Sequence, residues 1–335
     1  MSGQTRVYRD EDADVERIRG RRVAILGFGN QGAAQAQNLR DSGVTAIRIG
    51  NRDDEYRDAA LAAGFEVVSL TEAATWGEIV FLLVPDEVQP AVFGNEVGPG
   101  LQPGDALVVA SGYNVAFGLL DAPEGVDLVM VAPRMIGASV RERYQAAEPY
   151  PCFVSVERDR SGEALSIALA IGRAIGATRG GAVASSAREE AALDLFSEQA
   201  LWPMILAALG SAYEVLHDAG FSDAAILNEL YLSGEPAEIF TQMAEQGLFE
   251  QLPLHSHTSQ YGQLRALLAG IGDGLQERFS RVLHHEILSG AFAREWSDVL
   301  TEDPEALQRM HARARELPIA RAEARVRAAP SAGGT

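Results

Sequence analysis

The chain has no lysine; all 28 of its basic residues are arginine. That excludes Schiff-base chemistry and any general acid or nucleophile that needs an ε-amino group. Cysteine is almost as scarce. The single Cys152 rules out an internal disulfide framework and suits a reducing compartment. Positive charge is in short supply too: 47 acidic against 28 basic residues leave a net charge of -19. Such a surface repels polyanions, which argues against nucleic acid and anionic membrane surfaces as partners. Hydrophobic residues make up 47% of the 335, yet no unbroken apolar run approaches the ~20 residues of a membrane span. The opening MSGQTRVYRDEDADVE is polar and acidic and reads as neither a secretory nor a transit peptide. A cytoplasmic protein of about two domains is expected.

What is present is concentrated early. Residues 23–38, VAILGFGNQGAAQAQN, run from four apolar residues into Gly27-x-Gly29-x-x-Gly32 and at once into a helix-forming segment. A buried strand, a tight turn and a helix N-terminus in succession form a dinucleotide site. The glycines allow the sharp turn, close approach to a pyrophosphate, and packing of helix on strand. Phosphates would rest on free amides at the positive end of the helix. Gly27, Phe28, Gly29, Asn30, Gln31 and Gly32 are therefore cofactor-binding candidates.

Up to about residue 185 apolar, partly β-branched runs at 22–27, 46–50, 79–84, 106–110, 127–132 and 152–156 alternate with Ala-rich helical stretches. Among these stretches are 30–42, 55–63 and 161–175. The alternation predicts an α/β, doubly wound, mostly parallel sheet over 1–185, with ligand at the carboxyl ends of the strands. Beyond it strand signals vanish, and helical periodicity over 186–327 predicts an all-α domain. Its breaks fall at Gly220, Gly234-Glu235-Pro236, Pro253 and Gly270–Gly274. Segment 193–216 is apolar nearly all round, so it is expected to be buried in a bundle or subunit interface. The last residues, 328–335, read as a disordered tail.

Two groups of residues carry chemistry. After the second strand come Arg52, Asp53 and Asp54, where such a domain meets the adenosine ribose. Acids there accept from the 2′-hydroxyl of NAD and repel the 2′-phosphate of NADP, while Arg52 can grip a phosphate. Two aspartates against one arginine favour NADH; helix capping by either acid is compatible with that role. Asp194 and Glu198 are spaced i, i+4 on a face that continues through Leu201, Trp202 and Ile205. Carboxylates on an apolar stripe suit Mg²⁺; a solvated first helical turn is the alternative.

Longer stretches complete the pattern. Val7–Asp14, the glycine turn, Leu83–Gln89, Pro103–Leu107, Val131–Pro133, Asp194–Gln199 and Ser289–Trp296 together resemble a short-form (class I) ketol-acid reductoisomerase over nearly the whole chain. The resemblance implies a Rossmann domain followed by a knotted all-helical domain. It also implies a homodimer, or a higher oligomer, with active sites shared between subunits. The implied reaction is a Mg²⁺-dependent alkyl migration in a 2-acetohydroxy acid, followed by reduction with NAD(P)H. Pro85, Asp86, Gln89, Ser111 and Gly137 join the implied cofactor residues. Asp194 and Glu198 match one subunit's metal ligands, and Ser256 matches a substrate-binding serine.

The departures fall where that chemistry occurs. Ser111 stands where the family has a histidine. Ala132–Ala138 replaces a segment with a lysine, a proline and a second histidine, putting Arg134 in the lysine's place. Of the partner's two expected glutamates, Glu235 matches and Tyr231 does not. Three carboxylates suffice for one Mg²⁺ and poorly for two, since a phenol is a weak ligand. Asp194, Glu198, Glu235, Ser111 and Arg134 are the expected catalytic set, with Tyr231, Ser256 and Trp202 lining the substrate pocket. The expected activity is hydride transfer to a C=O or C=N bond of a small 2-keto-acid-like substrate, with isomerisation impaired or lost. The alternatives are a genuine reductoisomerase and a non-catalytic NAD-binding homologue.

Overall fold

The computed structural model describes residues 5–328, so the expected tail, apart from its first residue, lies outside the described residues. The chain divides into two compact units, one ending at Asp194 and the next beginning at Leu195.

The first unit is built on one sheet. Its strands are β1 Val7–Tyr8, β2 Val23–Leu26, β3 Ile47–Gly50, β4 Glu66–Val68, β5 Ile79–Leu82, β6 Ala106–Val109, β7 Asp127–Pro133, β8 Cys152–Arg158 and β9 Ala182–Ala184. They lie in the order β1-β9-β8-β7-β6-β5-β2-β3-β4. β2 through β7 pair in parallel, as expected; β7–β8 and β1–β9 are antiparallel. Every residue of β2, β5, β6 and β7 is buried, which explains their unbroken apolar runs: a parallel sheet is covered on both faces. Alternate residues divide between two cores, Val23 and Ile25 on one face, Ala24 and Leu26 on the other. Helices Asn30–Asp41 and Ala164–Ile175 cover the first face, and Leu70–Trp76 the second. Cys152 is fully buried and its thiol is pushed up to about 12 by desolvation, which leaves it inert.

The site is positioned by topology. The chain leaves β2 toward β3 and β4, then crosses back to β5 and continues through β6 and β7. That reversal opens a crevice at the carboxyl ends of β2 and β5.

The unit boundary falls nine residues beyond the expected 185 because helix Ala187–Phe196 packs on the sheet unit. A Cβ on Gly112 would lie 2.3 Å from the Ala187 carbonyl oxygen, and Glu190 on this helix bonds the Gly112 amide.

The second unit is helical, with no strand among the described residues. Its breaks fall at the expected glycines and prolines: Gly234, at φ +86, precedes helix Glu235–Gln246, and Gly274, at φ +80, precedes Leu275–Arg281. Pro203 does not end the helix running from Ala187 to Asp218. Ser197–Leu201 adopts a π-helical turn just before it, which accommodates a residue lacking an amide hydrogen.

Two features of the long helix bear on the sequence expectations. Of the two settings expected for segment 193–216, a bundle within the chain does not bury it: Leu206 is 68% exposed and Val215 68%. The unit's own buried cluster is small, comprising Tyr213, Ile226, Leu227 and Ala322. The 32-residue helix Ala187–Asp218 also meets the length and composition of a membrane span, with mean hydropathy 1.2 over its best window. Polar residues interleave its apolar ones, so it contains no unbroken apolar run of that length.

Candidate active site

At the carboxyl ends of β2, β3, β5 and β6 lies a cleft of about 630 Å³, within the usual range for a small-molecule site. Gly27 turns the chain out of β2 at φ +95, and a Cβ there would lie 2.9 Å from the Leu83 carbonyl oxygen. Gly32 is needed for packing, since its Cβ would meet the Gly27 oxygen at 2.1 Å. Gly29 is different. It is the N-cap of helix Asn30–Asp41, its φ of -73 suits any residue, and a Cβ there meets nothing within 4 Å. The fold does not need that glycine, and its lack of a side chain leaves the helix N-terminus open to the cleft.

Gly27, Phe28, Gly29, Asn30, Gln31, Arg52, Asp54, Pro85, Asp86, Gln89 and Ser111 all line this cleft. Gly32 lies under the turn, and Gly137 packs against Asn30, whose carbonyl oxygen a Cβ would meet at 2.2 Å. Asp53 is not among the lining residues. Its side chain is fully exposed and faces Arg57 at 3.7 Å. Asp54 caps helix Glu55–Ala62: its Oδ1 accepts from the Tyr56 and Arg57 amides and from Asn51 Nδ2, at 3.0, 3.2 and 2.7 Å. Asn51 Oδ1 in turn accepts from the Phe28 amide at 3.2 Å. The Arg52 guanidinium has no hydrogen bond or ion pair among the described residues. The end of the cleft beyond β3 thus carries an acidic cap beside an uncommitted cation.

At the other end Gln89 is buried and donates to Asp86 Oδ1 at 3.1 Å and to the Val84 carbonyl at 2.9 Å. Asn114 donates to the Asp86 carbonyl and to Gln89 Oε1, at 2.9 and 3.0 Å. Ser111 makes a long hydrogen bond, 3.4 Å, to Asp86 Oδ2. Desolvation, followed by the nearby Glu87 charge, raises Asp86 to about 6.

Behind Ser111 the expected Arg134 and Asp194 are joined by Glu190, which sequence reasoning missed. The Gly112 amide donates to Glu190 Oε2 at 2.7 Å, while Glu190 Oε1 accepts from Arg134 at 2.6 Å. Arg134's other terminal nitrogen donates to Asp194 Oδ1, and its plane lies 5.1 Å from the centre of the Phe153 ring. Glu190 is 2% exposed; burial raises its pKa, opposed by the Gly112 amide and Arg134. The two carboxylates outweigh burial and raise the Arg134 pKa. A signal for Glu190 existed, since it precedes Asp194 by one helical turn on the same face.

The other expected residues belong to the helical unit. Glu198 lies in the π-helical turn. Trp202 is half-exposed with its ring 6.5 Å from that of Phe240. Tyr231 donates to Glu323 at 2.7 Å, and burial together with that carboxylate pushes its phenol up to about 12. Glu235 opens its helix, with its amide donating to Ser233. Ser256 caps helix His257–Leu268.

Magnesium would need several carboxylates converging on one point. Among the described residues no group of three or more His, Cys, Asp or Glu does so, and Asp194 is already held by Arg134. The residues of the single chain do not fit the ion.

A glycine turn between a buried strand and a helix, with a cleft at the switch point of a doubly wound sheet, defines a dinucleotide-dependent oxidoreductase of the Rossmann class. Residues 17–181 match the family described as acetohydroxy acid isomeroreductase, NADPH-binding domain. Residues 188–331 match the ketol-acid reductoisomerase C-terminal domain. The chain is 40% identical to the ketol-acid reductoisomerase (NADP(+)) of Methanopyrus kandleri, over 87% of this chain and 88% of that protein. It is 38% identical to that of Leifsonia xyli, over 87% and 84%. The structure of an NADH-preferring ketol-acid reductoisomerase from an uncultured archean superposes with TM-score 0.90 at 31% identity, covering 96% of this chain and 98% of that one. The chain belongs to the ketol-acid reductoisomerase family, and is an NAD(P)H-dependent oxidoreductase.

Proposed function

We propose that this chain transfers hydride from NAD(P)H to the C=O or C=N carbon of a small 2-keto-acid-like substrate, and that alkyl migration is impaired or lost. The observation that carries the reading is the Arg134 guanidinium bound to Glu190 and Asp194 at once. Alkyl migration calls for metal ions clamping a ketone and the neighbouring alkoxide. Hydride transfer needs an oriented nicotinamide and one cation or donor beside the carbonyl. Binding of one Mg²⁺ by Asp194, Glu198 and Glu235 would require Arg134 to release Asp194.

The pyrophosphate is assigned to Gly29–Gln31, the adenosine to Arg52 and Asp54, and the nicotinamide to Pro85, Asp86 and Ser111. NADH is favoured over NADPH: the Asp54 negative charge lines the cleft, and a relative of the same fold is described as NADH-preferring. Arg52 supplies some tolerance of the 2′-phosphate. The exposed apolar side chains of the helical unit, Leu206, Val215, Leu268 and Ile271 among them, support a homodimer, and the single cysteine suits a cytoplasmic setting.

Turnover of 2-acetolactate with Mg²⁺, set against NADH-dependent reduction of a panel of 2-keto acids and imines, tests the reading. Acetolactate turnover as fast as 2-keto acid reduction would overturn it. A genuine reductoisomerase is the second reading, favoured by the identity to relatives bearing that name.

A further inference from the structure

Arg134 immediately follows the buried strand β7 and carries the only positive charge bonded to Glu190 and Asp194 among the described residues. We infer that this guanidinium is the resident cation of the site, withholding Asp194 from divalent metal. The inference rests on the proposed reductase reading and deepens it by assigning the charge that such a reductase uses.

Three features hold the cation in place. Each terminal nitrogen bonds a different carboxylate, a two-point grip whose directions the rigid planar fork fixes. Glu190 is itself anchored, because its second oxygen accepts the Gly112 amide at 2.7 Å. The guanidinium lies against the Phe153 ring, which favours a weakly hydrated cation. Arginine keeps its proton at every working pH, so Asp194 has a permanent partner. Magnesium sheds its water reluctantly and takes carboxylates in near-ideal octahedral geometry. At Asp194 it would have to displace a charge-assisted hydrogen bond and sit beside a like charge.

The cation also lies close to where hydride would be delivered. Glu190 links it to the Ser111–Gly112 turn, and Ser111 lines the cleft. A guanidinium has five N–H donors, so donors remain for a substrate carboxylate or carbonyl oxygen. Reduction of a 2-keto acid then proceeds without divalent metal.

The test is a Mn²⁺ titration of the full chain, without substrate or cofactor, following the EPR signal of free Mn²⁺. Wild type should bind weakly, and Asp194→Asn should change that affinity less than twofold. Arg134→Met should bind at least tenfold more tightly, and the double variant should lose the gain. A larger loss on Asp194→Asn alone, or no gain in a folded Arg134→Met protein, overturns the inference. Folding is checked by circular dichroism and NADH binding; if Arg134→Met does not fold, the wild-type and Asp194→Asn comparison decides alone. Because the assay contains no acetolactate, its result is independent of the turnover that tests the reductase reading.

Discussion

The Glu190 carboxylate holds the Arg134 guanidinium at 2.6 Å from a position that is only 2% exposed. Removing one member of such a pair leaves an uncompensated charge in a partly buried setting. Glu190→Ala should therefore cost about 3 kcal/mol, the low end for such pairs because Arg134 is itself 28% exposed. Glu190→Gln, which still accepts the Gly112 amide, should cost less. Urea denaturation of both variants gives the comparison: equal losses would assign the whole effect to the charge, and no loss in Glu190→Gln would show that the charge is unimportant.

Two glycines of one turn should respond oppositely to alanine. At Gly29 the new methyl meets no protein atom, so stability should be unchanged while NAD(P)H affinity falls on the order of tenfold, about 1.4 kcal/mol. At Gly32 it would press on the Gly27 carbonyl at 2.1 Å, and the protein should lose stability by about 1–3 kcal/mol, as overpacking does. Thermal melts and fluorescence titration with NADH separate the two.

Asp86 should make stability pH-dependent in an unusual direction for a carboxylate. Its pKa is raised from 3.8 to about 6 in the folded chain. Between those values the native state holds more protons than the unfolded one, so stability falls as pH rises from about 4 to about 6. Tm of Asp86→Asn minus Tm of wild type should accordingly rise between pH 4.5 and 7. A flat difference would place Asp86 in water.

The neighbouring acids at the second turn should separate cleanly. Asp54→Ala removes a cap accepting two helix amides and should cost about 1 kcal/mol, together with affinity for NADH. Asp53→Ala removes an exposed side chain outside the cleft and should change neither stability nor affinity measurably.

Leu268, 83% exposed, and Ile271, 77% exposed, should be covered by a second copy. Light scattering after gel filtration should give at least a dimer for wild type and a smaller species for Leu268→Glu with Ile271→Glu. A monomeric wild type would sink the homodimer.

The parallel strands were legible because burial on both faces leaves no polar residue to interrupt them, as in β2 and β5. Strands β1, β4 and β9 were not, being two or three residues long and defined by their sheet partners rather than by their own pattern. In the cleft, the glycine turn announced itself through spacing. The pairing of Arg134 with Glu190 and Asp194 joins residues some sixty positions apart, and no local period encodes that. The outward-facing apolar helices carried the right composition for burial, but composition does not say which surface does the covering.

The pairing of Val7 with Val183 and Tyr8 with Ala182 has a consequence for how the chain assembles. β1 cannot pair until β9 has been made, some 175 residues later. Closing so long a loop adds only slowly to the entropic cost, but non-local pairings of this kind delay folding. Docking of β1 beside β9, just ahead of the helix that bears Glu190 and Asp194, is therefore expected to come late in folding.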